Sequence, residues 1–131
     1  MKKLHIIPTI FLSLMMTSVA YAKWTEVGKN VVGDTYYVDF ERIKKDDGKV
    51  YYYQLIDFAK PLKNGEVSIK EYREAECGPF GHMWINFKSY NGPMASGTII
   101  GSDVNTKRWW TYPDPDTVAE YKLKAVCNHK N

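Results

Sequence analysis

Alternation of apolar and polar side chains with a period of two runs through most of this chain and confines it to a β-sheet. Residues 66–77 show it most cleanly. Val67, Ile69, Ala75 and Cys77 fall on one side, with Ser68, Lys70, Glu74 and Glu76 on the other. A strand turns successive side chains to opposite faces and so produces this period, whereas a helix does not. Residues 34–40 repeat it, with Tyr36, Val38 and Phe40 set against Tyr37 and Asp39. In residues 49–59 both sets are partly apolar: Val50, Tyr52, Gln54, Ile56 and Phe58 face one way, Tyr51, Tyr53, Leu55 and Asp57 the other. That strand belongs in the middle of the sheet, with both faces covered. Residues 24–27, 83–90 and 98–100 add shorter strands, and 109–112 a further extended piece. Turn residues separate them, namely 44–48 with its Asp47-Gly48 pair, Asn64-Gly65, the run 78–81, and Asn91-Gly92-Pro93.

The period changes near the end. Asp114-Pro115-Asp116-Thr117 opens a helix, and Thr117-x-x-Glu120 has the spacing of a capping box. Ala119, Leu123 and Val126 then form a narrow apolar stripe, while Glu120 and Lys124 make an i,i+4 pair on the exposed side. The expected fold is therefore α+β: a single antiparallel β-sheet of about six strands with a C-terminal α-helix packed on one face.

The first 22 residues stand apart. Met1-Lys2-Lys3 is positive, residues 4–19 are mostly apolar, and Ala20-Tyr21-Ala22 places small residues where a signal peptidase reads. That order predicts a cleaved secretory signal over residues 1–22, leaving one domain over 23–131. Pro8, Thr9, Ser13 and Thr17 interrupt the apolar run, which falls short of the roughly 20 residues a membrane anchor needs. No membrane span is expected after cleavage. Lys23 rather than Cys would follow the cut, so the chain is not read as a lipoprotein. Its expected location is the periplasm, the medium or the cell surface.

Export gives the cysteines their meaning. Cys77 and Cys127 are the only two, and in an oxidising compartment two cysteines in one small domain pair. Closing the loop between residues 77 and 127 restricts the unfolded chain by about 4 kcal/mol on the chain-entropy account. The bond would staple the end of the helix to a sheet face. Export also changes the charge. Lys2 and Lys3 account for two of the 18 basic residues and all 15 acidic ones follow Ala22, which leaves a net charge of +1. No whole-molecule field steers such a domain to nucleic acid or to an anionic membrane.

Catalytic constellations are absent. The chain has no GxSxG, P-loop, HExxH, CxxC or EF-hand spacing. His82 reads as a solvated turn residue and His129 as part of a frayed tail. Asp46-Asp47 and Asp114-x-Asp116 read as turn and capping residues rather than cation ligands. Neither an enzyme, a cofactor nor a bound metal is expected. The stretch with most binding character is residues 107–112, where Lys107 and Arg108 adjoin Trp109, Trp110 and Tyr112. Basic and aromatic side chains together attract anionic or ring-bearing partners. Neighbours in an extended segment point to opposite sides, so one tryptophan is buried and the other free. Lys107, Arg108 and Trp109 are the candidate partner-binding residues. Seventeen aromatics after Ala22, near-zero charge and lightly protected edge strands also allow a homodimer.

The ordered set Trp24, Tyr36-Tyr37-Val38-Asp39, the aromatic strand, Ser68-x-Lys70, Cys77, Tyr90-x-x-x-Met94-x-x-Gly97, Trp110 and Thr117-x-Ala119-Glu120-x-x-Leu123-x-x-Val126-Cys127 resembles the surface-adhesin protein E family over nearly the whole domain. The resemblance implies an antiparallel sheet with the helix tied to its concave face. It implies a dimeric adhesin for host matrix proteins such as vitronectin and laminin, and Trp110 as the buried tryptophan. The alternatives in other classes are a periplasmic inhibitor of a cell-wall hydrolase and a structural envelope protein.

Overall fold

The computed structural model describes residues 22–130; the signal segment read over 1–22 lies, apart from Ala22, outside the described residues. Seven strands form one antiparallel sheet: β1 Thr25–Lys29, β2 Thr35–Val38, β3 Lys44–Asp46, β4 Lys49–Asp57, β5 Ser68–Glu76, β6 Gly81–Tyr90 and β7 Ile99–Val104. The order across the sheet is β1-β2-β4-β5-β6-β7, and β3 pairs with the start of β4. One helix, α1 Val118–Asn128, follows the last strand. Sequential antiparallel pairing needs only short connections, which the turn residues supply.

Two boundaries differ from the periodicity. Residues 44–46 form β3, and the turn shrinks to Asp47 and Gly48, both at positive φ (49° and 79°), the backbone a tight hairpin needs. Residues 109–112 form no strand; Thr111 alone bridges to His82.

The helix starts as its capping box dictates. Thr117 accepts from the Glu120 amide at 3.2 Å, and Glu120 accepts from the Asp116 amide at 3.4 Å. Leu123 and Val126 are fully buried against Val27, Val38, Val50, Tyr52 and Ala75. Gly28 lets the helix sit close, since a Cβ there would meet Val118 Cγ2 at 2.7 Å. Cys77 and Cys127 are bonded with Cα atoms 5.7 Å apart, which ties the last turn of α1 to the end of β5. The clamp gives the sheet a helix face and an open face.

Candidate binding face

Strand register sorts the side chains between the two faces, because directly opposed residues point the same way. On the helix face, Gln54 lies opposite Glu71, Tyr52 opposite Arg73, and Ala75 opposite His82. On the open face Tyr51 lies opposite Glu74, Tyr53 opposite Tyr72, and Leu55 opposite Lys70, which in turn faces Lys88.

The helix face carries a buried polar chain. Lys122 donates to Gln54 Oε1, Gln54 Nε2 to Glu71 Oε2 at 2.9 Å, and Arg73 Nη1 to the same carboxylate oxygen at 2.6 Å. Arg73 Nη2 donates to His82 Nδ1 at 3.2 Å, so His82 keeps its proton on Nε2 and stays neutral. Burial first, then the charges of Lys122 and Arg73, hold the His82 pKa down to about 3. Burial and Arg73 likewise push Lys122 well below the usual lysine range. His82 is thus a buried member of β6 at 6% exposure rather than a solvated turn residue. The turn signal in residues 78–81 ends one residue before it, and the strand that follows carries the ring inward. His129 is not loose either, since its ring packs on Phe40 with centroids 5.3 Å apart and its carbonyl accepts from Lys45.

The open face is built differently. Arg42, Tyr53, Tyr72 and Tyr51 form a stack. The Arg42 guanidinium sits 4.5 Å from the Tyr53 ring centroid, Tyr53 is 4.8 Å from Tyr72, and Tyr72 is 6.2 Å from Tyr51. Beside it Glu74, 1% exposed, accepts from Tyr51 Oη at 3.1 Å, from Arg108 Nη2 at 2.9 Å and from Lys49 Nζ at 3.3 Å. A buried carboxylate is stable here because three donors surround it. Burial first, and then the Glu74 contact, raise the Tyr51 pKa, and the Glu74 contact raises that of Lys49. Two loops bracket the face. At one end Ala95 donates its amide to Ser68 Oγ and Met94 to Asp57 Oδ1. At the other, residues 105–112 lie along the outer edge of β6.

That second loop holds the sequence candidates. Asn105 anchors it: its amide donates to the Ile85 carbonyl and its side chain to the Trp84 carbonyl, while Asn105 Oδ1 accepts from the Arg108 amide. Arg108 adopts φ +52°, a conformation that costs a non-glycine residue energy and is kept here by those anchors. Its guanidinium is committed to Glu74. Lys107 places its ammonium 4.8 Å from the Trp109 ring centroid, and Trp109 is 69% exposed. Trp110 is half-buried. Lys107 and Trp109 therefore act as a unit facing solvent, with Arg108 as the bolt beneath them. Asn105 and Glu74 were not singled out in the sequence. Glu74 sat on the polar side of a clean alternation, and only the return of the chain from β7 reveals that it is covered.

Among the described residues no group of three acidic, histidine or cysteine side chains is placed to hold a metal ion, and no helix is long and apolar enough to cross a membrane. The sequence matches the family described as surface-adhesin protein E over residues 24–128. The fold is similar to crystal form II of Haemophilus influenzae protein E, at 18% identity and a TM-score of 0.61, covering 82% of this chain and 88% of that one. It is also similar to protein E from non-typeable Haemophilus influenzae, at 19% identity and a TM-score of 0.59, covering 84% and 78%. No curated protein sequence matches the chain.

Proposed function

The chain belongs to the surface-adhesin protein E family, and from that premise we propose that it is an exported, non-enzymatic module that attaches to host matrix proteins through the 105–112 loop. The signal over residues 1–22 would deliver it beyond the inner membrane and be removed there. The observation that carries the reading is the Lys107–Trp109 pair. A large ring stays 69% exposed with a cation over it, on a loop held rigid by Asn105 and Arg108. Anchors of this kind, aromatic and basic on a fixed support, dominate the energy of interfaces. Preorganisation also removes the ordering cost that a floppy loop would carry. Self-association through the unpaired outer edge of β7, where Ile99 and Val104 are exposed, belongs to the same reading. Light scattering that finds only monomer at high concentration removes that part.

Surface plasmon resonance of the domain over residues 23–131 against immobilised vitronectin and laminin tests the rest. Trp109→Ala should weaken binding by about 1–3 kcal/mol. If neither protein binds, or if Trp109→Ala and Lys107→Ala bind like the parent, the loop is not the contact.

A further inference from the structure

The open face carries a second feature that the loop does not use. A cleft of about 450 Å³ opens at the Tyr51 end of the tyrosine stack, lined by Lys44, Lys45, Asp46, Tyr51 and Tyr72. We propose that this cleft binds an acidic oligosaccharide, with one sugar ring packed against Tyr51 and Tyr72 and its sulfate or carboxylate held by Lys44.

Each part of the cleft has the chemistry for it. The volume lies in the range of small-ligand sites and accommodates a single sugar ring with its substituents. The C–H face of a pyranose carries partial positive charge and is attracted to the negative face of an aromatic ring. Tyr51 and Tyr72 are fixed before any ligand arrives, because Tyr53 and Arg42 brace the stack from behind and Glu74 accepts from Tyr51. Lys44 is exposed on β3 opposite Tyr51, and among the described residues no carboxylate pairs with it. Lys45 is turned away to the His129 carbonyl, which leaves Lys44 as the cation of the cleft. Asp46 adds an acceptor for sugar hydroxyls. Glu74 would repel an anion, but three donors already neutralise it.

A second observation extends the track. Lys70 and Lys88 stand directly opposite one another on the same face. Like charges in that position cost stability, and an anion lying between or above them would relieve that cost. An oligosaccharide leaving the cleft along the open face would place its next acidic groups within their field.

The inference does not rest on matrix-protein binding, which uses Trp109, and its test is separate. Isothermal titration of the domain with a heparin-derived hexasaccharide at low salt should show saturable binding. Lys44→Glu should weaken it by about tenfold or more, while Lys124→Glu, the same charge change on exposed α1, should leave it within about twofold. Maltohexaose, uncharged, should bind much more weakly. Should Tyr51→Leu fold, as judged by circular dichroism, it should weaken binding as Lys44→Glu does; the Lys44 and Lys124 pair decides the matter either way. Absence of binding, equal losses in the two lysine variants, or a polyglutamate of matched charge binding as tightly as the hexasaccharide would each overturn the proposal.

Discussion

The two faces of the sheet solve the problem of polar residues in opposite ways. Under α1, polar groups are sealed in. Lys122, Gln54, Glu71, Arg73 and His82 form a chain in which Arg73 pairs with Glu71 directly and Lys122 reaches it only through Gln54, and burial has silenced His82 and weakened Lys122. The Tyr52 hydroxyl and Arg73 Nε in the same region make no hydrogen bond among the described residues. On the open face the cations keep contact with water, while the Glu74 carboxylate they surround is buried. Arg42, Lys49 and Arg108 are each part-exposed and converge on carboxylates or rings from the rim. The helix face therefore governs whether the protein stays folded and how it responds to acid. In the proposed function, the open face and its edge loop are what meets a partner.

The sharpest way to break this division is to cut the clamp. Cys127→Ser should destabilise the domain by about 2–5 kcal/mol, read as the shift in its urea midpoint. The helix otherwise rests mainly on β1 and part of β4, so the sealed face should open first. A variant as stable as the parent would show that the helix face holds without the bond.

Acid tests the same face without mutation. His82 is held near pKa 3 when folded and has about 6.5 when unfolded. Between those values the unfolded chain binds the extra proton, so the His82 contribution is constant above about pH 6.5 and stability is lost through it as the pH falls toward 3. The loss at pH 3 is about 4 kcal/mol, and His82→Gln should flatten melting temperature against pH across that window. An unchanged slope in the variant would mean that other groups carry the acid response.

Smaller effects belong to the open face. Glu74→Gln removes the charge that Arg108 and Lys49 share and should cost about 1–2 kcal/mol, less than a fully buried pair because both cations are part-exposed. It should also loosen the 105–112 loop, seen as faster amide exchange there. Trp109→Ala should change stability by less than about 0.5 kcal/mol. Trp110→Ala, at a half-buried ring, should cost about 2 kcal/mol. Equal losses for the two tryptophans would make the loop a packing element and erase the comparison.

How much of this was legible in the sequence depends on range. Period-two alternation located β2, β4 and β5, and the capping box located α1, because each signal lies within a few residues. Cys77 and Cys127 paired by compartment and number. His82 was missed because its burial depends on α1 and on Thr111, which arrive 29 or more residues later. Lys122 was missed for a like reason: it flanks the stripe of Leu123 and Val126, and Gln54 on a distant strand draws it inward. Ser68 and Glu74 sat on the polar side of β5 yet are buried, since loops fold back over the open face at both ends. A single-strand pattern reports one face at a time and is blind to what later returns to cover it.

Hydrogen–deuterium exchange of the domain with and without saturating vitronectin puts the division of the two faces to its most direct test. Protection should concentrate in residues 105–112 and the neighbouring part of β6, with α1 and β1 exchanging as in the free domain. Protection concentrated on α1 and β1, with the 105–112 loop unchanged, would contradict it.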